Sequence, residues 1–249
     1  MKTKTILIIA LTASLSACHK EQVNQKLHTQ FSASGRLSTS AVAITPANPA
    51  NPFDSIGYYH NLLLSNIQPC LLPFDPVTGT EITGCVIKIA NQVHLNETDT
   101  QFSLVPMVVG DKRNDFRNII AQCNYSSYTK IMMDSLIRVV KDAAINTEAD
   151  YAAIKSVITN FEQPLLNNEH LSNYERQTLL SITSVARYSI YYWLQLEAAK
   201  QGLSLKRIAA IVATAMTDAV SLAVVRSAGF AADSSEEAWF DMNYYIPGN

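Results

Sequence analysis

Seven times between residues 54 and 226, apolar side chains recur at three- and four-residue spacing behind a residue able to cap a helix. Asp54 caps the first, with Ile56, His60, Leu63, Leu64 and Ile67 on one face and Pro69 as the stop. Thr78 and Glu81 form a capping box for a second, striped by Ile82, Cys85, Val86, Ile89 and Val93. The loop from Leu72 to Gly79 between them is rich in turn residues. Asp111 caps a short third helix carrying Phe116, Ile119, Ile120 and Cys123. Ser126 or Ser127 starts a fourth with Ile131, Met132, Leu136, Val139, Val140 and Ala143. Thr147 and Asp150 open a fifth, with Tyr151, Ile154, Val157, Ile158 and Phe161 inward and Pro164 at its end. Ser172 and Glu175 box the sixth, which carries Leu179, Ile182, Val185, Ala186, Ile190, Trp193 and Leu196 to about Lys200, before Gly202. Ser204 caps a seventh, Leu205 to about Arg226. The run Phe102 to Val109 alternates poorly and reads as a short strand or an extended connection. The expected fold is all-α, an irregular antiparallel bundle of about seven helices.

The seventh helix is nearly continuous in apolar and small residues from Ile208 to Val225, just long enough to cross a bilayer. Asp218 near its middle, with Thr214, Thr217 and Ser221, opposes that, since a charge there costs about 2.5–3.5 kcal/mol on insertion scales. A helix apolar all round is also what the centre of a bundle requires. The expectation is a central core helix with Asp218 as a buried acid paired within the bundle. The alternative is a membrane-active protein that inserts residues 205–226.

Ahead of the helices, Lys2 and Lys4 precede an apolar run, Ile6 to Leu15, too short to span a bilayer, followed by small residues. Leu15-Ser16-Ala17-Cys18 resembles the lipobox of bacterial lipoproteins. The resemblance implies a signal peptide over residues 1–17 and acylation of Cys18, with attachment to membrane through palmitate-like chains, each buried methylene contributing about 0.8 kcal/mol. From there to residue 51 the chain is poor in large apolar residues and ends in Pro46-Ala47-Asn48-Pro49-Ala50-Asn51. Residues 18–51 therefore read as a disordered tether and 52–249 as a single helical domain. His19-Lys20-Glu21 is partly similar to a signal that sends lipoproteins to the outer face of the outer membrane. The expected address is the cell envelope at that membrane, with the periplasmic or surface face left open. The formal charge of −2, or −4 without the two signal lysines, argues against nucleic acid as a partner.

Lipidation of Cys18 leaves Cys70, Cys85 and Cys123, so at most one internal bridge among three pairings. Cys70 with Cys85 is favoured, because it staples the loop between the first two helices. The alternative is three small buried apolar residues.

Little in the sequence speaks for catalysis. His19, His28, His60, His94 and His170 are scattered without metal-ligand spacing, and no metal or other cofactor is expected. His60 falls on an apolar face as a hydrogen-bonded core residue. Ser127-Tyr128-Thr129-Lys130 fits the Ser-x-x-Lys pattern of penicillin-binding enzymes, but the companion Lys-Thr-Gly is missing. A serine hydrolase using Ser127 and Lys130 is therefore the weakest reading. Tyr188, Tyr191, Tyr192 and Trp193 crowd one helix, either as a recognition surface or packed beneath the tail Trp239-Phe240 to Tyr244-Tyr245. Asp233-Ser234-Ser235-Glu236-Glu237 reads as a solvated acidic turn in that tail.

The segment Asn51-Pro52-Phe53-Asp54-Ser55-Ile56-Gly57-Tyr58-Tyr59-His60-Asn61 resembles the opening of a group of exported Bacteroidota-type lipoproteins with an Asn-Pro-aromatic-Asp-x-aliphatic-Gly-x-x-His-Asn motif. Leu179 to Ser189, leading to Tyr192-Trp193, resembles their long helix. The resemblance implies export and a helical fold and carries no activity. Asn51, Pro52, Asp54, Gly57, His60 and Asn61 are expected to be structural. Function then reads as a non-catalytic binding or interaction module of the envelope, meeting an envelope protein or ligand.

Overall fold

The computed structural model describes residues 44–71, 73, 78–93, 95, 102, 104–111, 116–198, 203–225 and 227–244, with backbone alone at 198 and 240–244. All belong to the unit Ala43–Asn249. The export signal, Cys18, His19, His28, His94 and most of the loop Leu72–Gly79 lie outside the described residues. Those that are described form nine α-helices, one 3₁₀ turn and no strand. They are α1 (Asp54–Leu71), α2 (Gly79–Gln92), α3 (Val105–Asp111), α4 (Arg117–Gln122), α5 (Ser127–Asn146), α6 (Tyr151–Glu162), α7 (Asn173–Ala198), α8 (Leu205–Val225) and α9 (Ala228–Tyr244), with the 3₁₀ turn Gln163–Leu165 after α6.

Local chemistry accounts for most of the helix starts. Thr78 and Glu81 close the capping box of α2, with Thr78 N donating to Glu81 at 3.1 Å. Ser126 Oγ accepts from Thr129 N to cap α5, and Asp150 accepts from Ala152 N to cap α6. Thr147 ends α5 instead of opening α6, with the chain turning through positive φ at Glu148 and Ala149. The box at the start of α7 is complete: Ser172 N and Oγ donate to Glu175, and Glu175 N donates back to Ser172 Oγ. Ser204 Oγ accepts from Arg207 N at α8.

Several expectations fail for identifiable reasons. Asp54 does not cap α1: its carboxyl turns to Arg187, and Asn51 Oδ1 accepts Phe53 N instead. Pro69 sits inside the last turn of α1, where it removes one backbone donor but does not stop the two residues after it. Val105 to Asp111 is helical, with Val105, Val108 and Val109 buried at helical spacing. Asp111 ends that helix, yet its carboxylate accepts Ile119 N and Asn118 Nδ2, capping α4 from outside. On α5 Leu136, Val140 and Ala143 are buried as expected, together with Met133, Ile137 and Ala144, while Met132 and Val139 are half-buried and Ile131 is exposed. Residues 46–51 are no loose tether: Pro46 and Asn51 are buried and hydrogen-bonded to α6 and α7.

The largest departure is α9. Its residues 230–236 are buried throughout, so the acidic segment Asp233–Glu237 is a helix inside the bundle and not a solvated turn. Apolar spacing is weak there because serines and acids occupy positions that face the core, which is why periodicity misses it. At the centre α7 and α8 pack side by side, with α1 and α9 across them, α2 and α3 beyond α9, and α5 and α6 on the far flank. From Thr178 to Ile190 every residue of α7 is buried. Among the described residues α8 alone is long and apolar enough to cross a membrane, and 78% of its apolar window is buried by its neighbours.

Candidate functional site

Asn51, Asp54, Gly57 and Asn61 of the Asn51–Asn61 motif reach across to α7. Asn51 Nδ2 donates to Glu162 Oε1 and to Leu180 O, both at 2.8 Å. Asp54 Oδ1 lies 2.5 Å from Arg187 Nη2, and Asp54 Oδ2 accepts Asn48 N and Tyr188 Oη. Gly57 N donates to Ser184 Oγ, which donates in turn to Asp54 O. Asn61 Nδ2 donates to Tyr188 O at 2.7 Å. A Cβ at Gly57 would stand 2.5 Å from Tyr188 Cδ2 and 2.6 Å from Ser184 O, so only glycine allows α1 this close to α7. The hub is Arg187, fully buried, which also donates to Glu162 Oε1 and to Pro46 O. A guanidinium fork between two carboxylates is the arrangement that offsets the cost of burying charge.

One turn further along α1 the chemistry changes. His60 is buried, with Nδ1 3.0 Å from Asn61 Oδ1, and its Nε2 lies 3.3 Å from Asp218 Oδ2 without hydrogen-bond alignment. Asp218, at the middle of α8, accepts from Ser189 Oγ and from Ser235 Oγ, and Ser235 Oγ accepts Trp193 Nε1 at 3.0 Å. Burial raises the Asp218 carboxyl, against the opposing pull of His60 and the two hydroxyls. The other acids of this seam come from α9. Asp233 accepts Thr83 Oγ1 at 2.9 Å, and Glu236 accepts Gln68 Nε2 at 2.9 Å. Burial pushes each up to about 8. These acids lack a guanidinium, and Asp218 Oδ1, Asp233 Oδ1 and Glu236 Oε1 have no partner among the described residues.

Ser189, His60 and Asp218 are buried from solvent, and the order of contacts differs from a catalytic triad: the Asp218 carboxyl, not the imidazole, accepts the hydrogen bond of the Ser189 hydroxyl. Among the described residues no group of three or more His, Cys, Asp or Glu could hold a metal ion. Lys130 Nζ donates to Ala121 O at 2.7 Å and makes no hydrogen bond to Ser127, so that pair is not assembled as nucleophile and base.

The aromatic row of α7 is no recognition surface, because too much of it is inside. Tyr188 and Trp193 are buried; Tyr191 and Tyr192 are half-buried, Tyr191 edge-on to Tyr151 and Tyr192 edge-on to Trp193. Trp193 stacks on Trp239 of α9 with ring centres 4.4 Å apart. Cys70 and Cys85 are joined in a disulfide, and Cys123 is a free thiol. His170 lies against the Tyr128 ring.

Open to solvent is a cleft of about 560 Å³ lined by Met107, Ile119, Gln122, Cys123, Asn124, Tyr125, Tyr174, Ala223 and Val224. Its walls come from α3, α4, α7, α8 and the turn before α5. Tyr125 and Tyr174 stack with ring centres 5.8 Å apart, and Tyr125 Oη donates to Ala223 O. Glu175 braces this wall by accepting Ser126 N and Thr129 Oγ1; these bonds, with those from Ser172, hold its carboxyl down at about 2. Burial raises the Cys123 thiol, keeping it protonated and a poor nucleophile. Among the described residues, none that lines the cleft bears a formal charge. Sequence periodicity does not reveal it, since its walls come from five separated segments.

Compared with known proteins, the chain matches no family model, no curated protein and no solved structure.

Proposed function

We propose that this protein is a lipid-anchored binding module of the bacterial cell envelope, non-catalytic, whose recognition element is the cleft beside Tyr125 and Tyr174. The observation that carries this reading is the cleft itself: its volume lies in the range of small-ligand sites, and its walls mix aliphatic and aromatic side chains with the amides of Gln122 and Asn124, the tyrosine hydroxyls and the Cys123 thiol. Such a lining suits a neutral molecule with one apolar face to lie on the tyrosines and hydrogen-bonding edges to meet Gln122 and Asn124. Met107 and Tyr174, 44% and 48% exposed, leave an apolar rim at the mouth. The anchor is supported by the Leu15–Cys18 motif, and the helix α8 serves the core in this reading, not the membrane.

The test is a panel of neutral sugars and capped amino-acid amides, titrated onto the full chain in detergent and followed at the tyrosine ring resonances. Saturable shifts that vanish in Val224→Trp, which fills the cleft, support the reading. A panel that shifts nothing, or shifts wild type and Val224→Trp alike, removes it. Cys18→Ser should move the protein from the membrane to the soluble fraction.

A further inference from the structure

The α9 helix is held in the bundle in an unusual way. Asp233, Ser234, Ser235 and Glu236 are all fully buried, with Asp233 toward α2, Ser235 toward α8 and Glu236 toward α1, where a bundle helix ordinarily presents aliphatic side chains. Each acid docks on a neutral donor: Asp233 on Thr83 of α2, Glu236 on Gln68 of α1. Glu237, the next residue, lies over Gly79, where an added Cβ would come within 2.5 Å of its Oε1.

The groups facing these acids settle their charge. From α1 come His60 and Gln68, from α2 Thr83, from α7 Ser189, Tyr192 and Trp193, and from α8 Asp218. The α3 side contributes Val105, Val108 and Val109. Arg207 stacks on the outer part of the seam, over Trp239, and pairs with Glu197. The one imidazole, His60, lies beside Asp218, and the acids repel one another: Asp218 raises Glu236, and Glu237 and Glu236 raise Asp233. A carboxyl in such a place is accommodated only with its proton on.

We propose that α9 is a proton-dependent clasp: protonated, its carboxyls hold it against α1, α2 and α8, and their loss of protons releases it from the Trp193–Trp239 seam. Release leaves an apolar surface on α7 and α8, including Trp193, open to whatever adjoins the protein. The direction of the switch follows from the upward shift. The proton-bound, closed form is fully favoured below the ordinary carboxyl range near 4 and loses ground as pH rises through about 8. For each acid the opening equilibrium grows up to roughly tenfold per pH unit within that window.

The experiment is native-state hydrogen exchange on the full chain in detergent between pH 5 and pH 9, expressed as protection factors so that intrinsic base catalysis is removed. Protection of the α9 amides should fall at least tenfold between pH 6 and pH 8, while the amides of α5 and α6 hold theirs. In Asp233→Asn/Glu236→Gln, which keeps the shapes and hydrogen-bond acceptors but cannot ionise at those two positions, most of that fall should disappear, leaving the part carried by Asp218 and Glu237. The only two tryptophans are Trp193 and Trp239, so near-ultraviolet circular dichroism reads the same contact directly. If the double variant does not fold, Glu236→Gln alone should remove about half of the fall. Protection of α9 that is independent of pH in wild type, or an equal fall in the variants, overturns the proposal.

Discussion

Two buried polar regions lie between one and two helical turns apart along α1, at Asp54 and His60, and answer the same problem differently. At Asp54 the carboxylates of Asp54 and Glu162 close on the Arg187 guanidinium, so charge is kept inside and balanced. At His60 and beyond, Asp218, Asp233 and Glu236 meet hydroxyls, an amide and one imidazole, and burial raises all three carboxyls, Asp233 and Glu236 to about 8. The difference teaches that what a buried acid does depends less on burial than on whether a permanent cation touches it. The first region is held by ion pairs, and the second varies with pH.

The largest expected effect sets the two apart directly. Unfolding free energy should fall from pH 5 to pH 8, by up to about 1.4 kcal/mol per unit for each of Asp233 and Glu236, because the unfolded chain has already released those protons. Denaturant titrations across that range measure the slope, and a flat profile would erase the distinction. Arg187→Met should cost about 3–5 kcal/mol by leaving Glu162 and Asp54 without their cation, while leaving the pH slope of the seam in place. Reducing the Cys70–Cys85 disulfide, which closes a separation of 15 residues next to Gln68, should cost about 3 kcal/mol on the chain-entropy model. Gly57→Ala stands between the two regions and should cost about 1–3 kcal/mol through overpacking against Ser184 and Tyr188. A drop in thermal midpoint, with loss of protection in both regions together, would identify α1 as their shared support. Ser172→Ala touches neither and should cost only about 1 kcal/mol, the loss of one cap.

Helices with a clean apolar stripe and a capping side chain were legible from residue order alone, as α2, α6, α7 and α8 illustrate. So was the nearness of Cys70 to Cys85 across a short loop. The structure brings His60 and Asp218, both expected inside on their helix faces, to the same point. Hidden from periodicity were α3, whose valines come in too short a run, and α9, whose inward face is written in Asp, Ser and Glu. The pinning of residues 46–51 was hidden too, because Asn and Pro next to a low-complexity stretch carry no apolar signal, and their partners Glu162 and Arg187 are more than a hundred residues away.

The sequence by itself determined the helical class, most helix starts and the lipobox-like opening, because caps, turns and apolar spacing act over a few residues. Only the tertiary structure decided that an acidic stretch belongs inside, that tyrosines on α7 face inward, and that a cleft opens beside Tyr174. Those outcomes depend on desolvation and on partners from distant segments, and both exist only once the chain has closed on itself.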